Sequence, residues 1–191
     1  MLDTHMDRRN IIRLGLIGIA SVICSGNAHA MQKFMRLGAY SAETRIICIH
    51  NLHTKETMQT VYWKNGQYID SALKELDYIF RDHYNGAVKR IDKRLLDFLF
   101  AIQQKVGTGE PFHLISGYRS RKTNERLRKN NKAVAKRSMH IFGKAADIRL
   151  PAVDLRKLRR AAYELQAGGV GYYPKSEFVH IDAGNVRFWR G

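Results

Sequence analysis

Short β-rich runs alternate along this chain with stretches in which leucines and other apolar residues recur every three or four positions. Neither kind of segment can bury its apolar face alone, so the pattern selects a sheet with helices laid on it. The helical spacing covers 70–83 (Leu73, Leu76, Ile79, Phe80), 92–106 (Leu95, Leu96, Leu99, Ile102, Val106) and 154–166 (Leu155, Leu158, Ala162, Leu165). A very basic helix is expected over 121–130. Asp70 or Ser71 is available to cap the first helix, and 107–111 ends the second. Strands are expected in a hairpin that starts at Thr44 and turns at His53-Thr54-Lys55-Glu56, at 112–116, and at 144–150 before Pro151. A closing hairpin of 168–173 and 178–181 surrounds Pro174, and Asn65-Gly66 marks a further turn. The expected fold class is α+β: one domain over 44–191, with helices packed on a small, mostly antiparallel sheet.

The start of the chain is of another kind. Arg8 and Arg9 stand ahead of Ile11, Ile12 and Arg13, the apolar run LGLIGIASVICSG follows, and Ala28-His29-Ala30 supplies the small-x-small exit that a signal peptidase reads. The run falls short of the about 20 apolar residues that a membrane span needs. Residues 1–30 are thus expected to be an export signal of twin-arginine-like order, and 31–43 a basic tether. The expected location is the periplasm or cell envelope, with no stable membrane span once the signal is gone. Cys24 falls within the signal and leaves Cys48 alone in the remainder, so no internal disulfide is expected. The chain carries 33 Lys and Arg against 17 Asp and Glu. The excess outlives removal of a segment that holds Arg8, Arg9 and Arg13 against Asp3 and Asp7. Such a surface suits polyanions. An exported chain without a DNA-reading helix or an aromatic single-strand motif points away from nucleic acid and towards an anionic cell-wall polymer.

The stretch SMHIFGKAADI, at 138–148, sets His140 and Asp147 on either side of Gly143. A hydrolytic zinc site needs three protein ligands and one position left for water. His140 and Asp147 offer two, and His180, in the run FVHID at 178–182, offers the third. Gly143 allows a tight turn between the first pair, and Ala145 and Ala146 leave room beside a metal. Strand alternation puts Asp182 on the same face as His180, about 7 Å along, where it can take a proton from a water. A lone histidine is more often just a partly buried polar side chain. What raises these three is their occurrence together with Arg119 and Asp182. His50 and His53, on the first hairpin, could form a weak surface metal site.

Ser116-Gly117-Tyr118-Arg119-Ser120, Thr123-Asn124, Ser138-Met139-His140 and Gly143-Lys144-Ala145-Ala146-Asp147 together resemble the signature of the M15-type zinc peptidases. Gly168-Gly169-Val170-Gly171-Tyr172-Tyr173-Pro174, Phe178-Val179-His180-Ile181-Asp182 and Val186-Arg187-x-Trp189 are closer to the subgroup once called DUF882. The resemblance runs from Leu37 to Trp189 and takes in His53-Thr54-x-Glu56. It implies a hedgehog/D-Ala-D-Ala-peptidase-like fold and one Zn2+ per chain, held by His140, Asp147 and His180. It also implies an arginine, here Arg119, that stabilises negative charge on the attacked amide or holds a substrate carboxylate. A guanidinium so aimed is worth about 3 kcal/mol of the barrier.

Two candidates stay open for the general base. The wider clan places an acid three residues before the last histidine, here Glu177, whereas the nearer subgroup features the aspartate two residues after it, Asp182. Strand alternation favours Asp182, because an odd offset turns Glu177 to the other face unless the strand begins only at Phe178. Asn124 and Ser138 read as supports or caps, and Tyr172 and Tyr173 as groove lining or core packing. The basic run of Lys122, Arg126, Arg128, Lys129, Lys132, Lys136 and Arg137 reads as a solvated face or an attractor of wall polymer. The resemblance implies a murein endopeptidase that hydrolyses peptide cross-links of peptidoglycan, with peptidoglycan peptides as partners. A D-alanyl carboxypeptidase of the same fold and a non-catalytic peptidoglycan-binding module are the alternatives.

Overall fold

The computed structural model describes residues 44–132 and 134–191. The expected export signal (1–30) and tether (31–43) lie outside the described residues. Strands β1 (Thr44–Asn51), β2 (Thr57–Lys64) and β3 (Gln67–Tyr68) come first, followed by helices α1 (Asp70–Ile79) and α2 (Lys93–Val106). Strand β4 (Phe112–Ser116), helix α3 (Arg121–Asn130), strand β5 (Ala145–Arg149) and helix α4 (Leu155–Glu164) form the middle. Strands β6 (Gly169–Tyr173), β7 (Phe178–Asp182) and β8 (Arg187–Arg190) close the chain. All eight strands build one sheet in the order β3-β2-β1-β4-β5-β7-β6-β8. β1 with β4 and β6 with β8 run parallel, and the other neighbours are antiparallel. The α+β class and the mostly antiparallel sheet agree with the sequence pattern. The sheet is wider than that pattern suggests, because β3 and β8 add an edge strand at each side.

Helix α2 shows how the sequence makes its elements. Asp92 accepts the N–H of Arg94 at 3.0 Å, which satisfies an orphan donor of the first turn. Leu95, Leu96, Leu99 and Ile102 are fully buried along one stripe, each stabilising the fold by roughly 1.5–3 kcal/mol. Gly107, at φ +69°, closes the helix in the left-handed region. Ser120 and Asp154 cap α3 and α4 through the N–H groups of Thr123, and of Arg156 and Lys157. Helix α1 departs from expectation at both ends. Its N-cap residue is Ile69, without a side-chain cap, so neither Asp70 nor Ser71 plays that part. It stops at Ile79 and does not continue to His83. The buried carboxylate of Asp82 accepts the N–H groups of Tyr84 at 3.0 Å and Ser120 at 2.9 Å, which draws the chain out of the helix and ties it to the start of α3.

Alternation along the strands sorts core from site. Ala146 and Ile148 of β5, Val170 of β6, and Val179 and Ile181 of β7 join the leucines of α1, α2 and α4 in the apolar core, with Tyr172 packed against it. Asp147, Gly171, Tyr173, His180 and Asp182 therefore face the other side of the sheet. Cys48 is buried in β1 and takes part in no disulfide. No helix among the described residues is long and apolar enough to cross a membrane.

Candidate metal centre

A single 3-10 turn, Met139–Phe142, carries His140 into the sheet face beside β5. Gly143 ends it at φ +65°, with its Cα packed so close to the backbone carbonyl of Arg90 that a Cβ would overlap that oxygen. Only glycine satisfies both the angle and the space there. The Nδ1–H of His140 donates to the carbonyl of Gly117 at 2.7 Å, which leaves Nε2 as the lone-pair nitrogen. Asp147 and His180 are cross-strand partners of the β5–β7 ladder, so their side chains project side by side.

These three side chains meet. Asp147 Oδ1 lies 3.3 Å from His140 Nε2 and 2.8 Å from His180 Nδ1, and the two nitrogens are 3.2 Å apart. The far nitrogen of His180, Nε2, faces Asp182 Oδ2 at 3.0 Å and donates its proton there. Each imidazole is thus anchored by one nitrogen and turns the other inwards, next to a carboxylate. A triangle of this kind needs positive charge at its centre, either a proton on His180 or a cation. With a proton there, burial lowers the affinity of the ring for it, but hydrogen bonds to Asp147 and Asp182 outweigh burial and push the His180 pKa up to about 9. Burial pushes His140 the other way, below the ordinary histidine value. Asp147 lies well below the usual carboxylate range, because the attraction of both imidazoles overcomes its burial. Two nitrogens and an oxygen, with both rings anchored from behind, suit zinc. Among the described residues this is the one group of three or more potential ligand side chains.

Arg119 stands beside the cluster. It is 12% exposed, its guanidinium donates to Ser116 Oγ at 3.2 Å and Asn124 Oδ1 at 3.4 Å, and it lies 3.6 Å from Asp147 Oδ2. Asn124, itself buried, donates to the carbonyl of Ala135 and so fixes both the arginine and the loop before His140. A cleft of about 460 Å³ opens over the cluster, lined by Arg119, Arg137, Ser138, Tyr173, Phe178 and Trp189 around the three side chains.

The two candidate bases sit in contrasting places. Asp182 is 0% exposed, and both its oxygens are committed. Oδ1 accepts from Gly184 N–H and Arg187, and Oδ2 from His180 and Arg187, the latter at 2.6 Å. Although burial opposes it, these donors hold its pKa down to about 2. Glu177 has a 76% exposed side chain whose carboxylate is 3.4 Å from Arg149. Strand β7 begins at Phe178, and Glu177 precedes it in the left-handed region at φ +53°, so the odd-offset argument does not apply to it.

Other sequence candidates separate. His50 shares a hydrogen with Thr57 Oγ1 at 2.7 Å and faces His113, while His53 stacks on His83 at 3.7 Å, so these histidines pair with different partners and form no common site. Of the basic run, Arg137 reaches the cleft, and Arg128 and Lys136 line an adjoining depression with Arg121 and Phe142. Arg126 covers the ring of Tyr84. Sequence reasoning gave no role to Gly117, Arg187 or Trp189. The signal was present in the Gly-Tyr-Arg and Val-Arg-x-Trp motifs, but nothing local says that a carbonyl grips a ring or that β8 lies beside β6.

Fold and cluster together define a candidate metallohydrolase site. A family model of the M15 peptidases, described as peptidoglycan L,D-endopeptidase MepK, matches residues 39–189. The chain is 39% identical over 183 residues to the peptidoglycan L,D-endopeptidase MepK of Escherichia coli (strain K12), covering 96% of this chain and 97% of that one. It is 35% identical over 186 residues to a Haemophilus influenzae protein named "Probable peptidoglycan L,D-endopeptidase MepK", covering 97% and 96%. The chain belongs to the MepK-like family of M15 peptidases, and it is a peptidase.

Proposed function

We propose that this protein is an exported, zinc-dependent murein endopeptidase that hydrolyses peptide cross-links of peptidoglycan. The L,D-endopeptidase names of its relatives support an amide between an L- and a D-centre as the bond cut. In cross-linked stem peptides that describes the direct link between two diaminopimelates and not the link through D-alanine. The hedgehog/D-Ala-D-Ala-peptidase type of fold and the signal over 1–30 belong to the same reading. The observation that carries it is the convergence of His140 Nε2, Asp147 Oδ1 and His180 Nδ1 within 3.3 Å of one another.

His140, Asp147 and His180 would hold one zinc ion. Zinc in such a set supplies hydroxide near neutral pH and polarises a carbonyl. Arg119, fixed by Ser116 and Asn124, binds the amide oxygen as it gains negative charge. Asp182 keeps His180 in the tautomer and orientation that turn Nδ1 inwards. With both oxygens occupied and no solvent exposure, it has no position from which to meet a water.

Glu177 takes the proton. Its partner Arg149 lies two residues beyond Asp147 on β5, which puts the pair on the ligand face about one strand repeat away. Ser176 and Phe178, on either side of Glu177, line the cleft. A carboxylate so exposed can swing inwards, accept a proton from the attacking water and return it to the leaving nitrogen. Arg137 and the basic depression beyond it attract the anionic wall polymer.

The test is incubation of zinc-loaded protein with muropeptide dimers of each link type. Conversion of directly linked dimers to monomers supports the reading. Loss of one terminal alanine would instead mark a carboxypeptidase, and binding without turnover a wall-binding module.

A further inference from the structure

Tyr173 lines the cleft and has no part in the mechanism proposed above. It ends β6, on the sheet face of His180, with its ring stacked on Phe178 at 4.5 Å. Its hydroxyl accepts a hydrogen bond from Trp189 Nε1 at 2.9 Å. Trp189 is itself placed by its neighbours. It pairs with Gly171 across β6 and β8, its ring occupies the space that any side chain on Gly171 would take, and it lies 5.3 Å from the His180 ring. A phenol has one proton to give. Because Trp189 Nε1 can only donate, the phenol oxygen is the acceptor there, and its own proton has no acceptor among the described residues. That proton is left for whatever enters the cleft.

The sheet order fixes the direction of approach. Arg119 follows β4, Asp147 is on β5, His180 on β7 and Tyr173 on β6, so Tyr173 belongs to the strand on the far side of Asp147 and His180 from the arginine, two residues along the ladder from the Gly171–His180 pair. Tyr172, one residue earlier, turns to the core and lies under Arg159 and Arg190, so alternation assigns the two tyrosines different work.

We propose that the Tyr173 hydroxyl touches the scissile peptide and donates a hydrogen bond to the tetrahedral species from the side opposite Arg119. Trp189 holds the phenol in that orientation. No bond to Tyr173 forms or breaks and no proton leaves it; it acts only as a fixed donor. The proposal rests on the peptidase reading above.

The test compares wild type with Tyr173→Phe, which keeps the ring stack on Phe178 and so the fold. Cleavage of a cross-linked muropeptide is expected to lose about 100-fold in kcat with KM within about threefold, the pattern of a lost transition-state donor. Zinc content should equal that of wild type. A phosphinate pseudopeptide, which mimics the tetrahedral species, should bind the variant about 100-fold more weakly, whereas an uncleaved amide analogue should bind both alike. Unchanged kcat and phosphinate affinity in a turning-over wild type would overturn the role of Tyr173 alone, as would a loss confined to KM or accompanied by loss of zinc. A wild type that neither cleaves nor binds phosphinate would overturn the peptidase reading and this proposal together.

Discussion

The Nε2 atom of His180 lies 3.0 Å from Oδ2 of Asp182, behind the ring as seen from Asp147. In the proposed mechanism this contact makes Asp182 a support for His180. An acid that orients a ligand histidine has its effect on metal affinity, whereas an acid that moves protons has it on turnover. Asp182→Asn is expected to weaken zinc binding by about 10- to 100-fold while leaving kcat at saturating zinc within a fewfold of wild type. Competition with a chromophoric chelator measures the first, and steady-state kinetics the second. Full zinc affinity with kcat lost by orders of magnitude would return Asp182 to the role of base.

Glu177→Gln is expected to do the reverse. Zinc content should stay at wild-type level, and kcat should fall by about 100-fold or more. Unchanged kcat across the pH range would remove Glu177 from the mechanism.

Gly143→Ala tests the turn that delivers His140. An alanine at φ +65° costs about 1–3 kcal/mol in backbone strain alone, and its Cβ also meets the carbonyl of Arg90, a rigid neighbour. Thermal unfolding should show a clear drop in Tm together with weakened zinc binding. A variant as stable as wild type would mean that the turn relaxes freely.

Asp82 gives a pH signature outside the metal site. Burial raises its pKa, but hydrogen bonds from Thr123, Ser120 and Tyr84 prevail, so the folded value lies below the ordinary one of 3.8. A carboxylate depressed on folding contributes stability that is fully present above the unfolded value and is lost as pH falls through the folded one. Asp82→Asn should therefore be less stable than wild type at neutral pH and converge with it under acid conditions below about pH 4. Denaturant unfolding at a series of pH values checks this. Parallel curves would show that the carboxylate is not the source.

The sequence revealed most where one period governs a segment. Leu95, Leu96, Leu99 and Ile102 declared α2, and the alternation in FVHID declared both β7 and the face of His180. It failed where a distant partner decides. Helix α1 stops at Ile79 because Asp82 reaches Ser120, far along the chain, and β8 exists because β6 offers an edge. At the site, the residue types marked His140, Asp147 and His180, but they did not say that Arg187, five positions beyond Asp182, would turn back and occupy both of its oxygens. Strand alternation favoured Asp182 on the condition that Glu177 lay within the strand, and β7 begins only at Phe178, with Glu177 ahead of it at φ +53°, so alternation does not rank the two acids.

The most direct measurement is zinc-dependent cleavage of a directly cross-linked muropeptide dimer by the purified protein, followed alongside bound zinc in wild type and His180→Ala. The account expects about one zinc per chain and dimers becoming monomers in wild type, with both lost in the variant. Dimers that persist with zinc-loaded wild type, or that are cleaved equally well by His180→Ala without bound zinc, would contradict it.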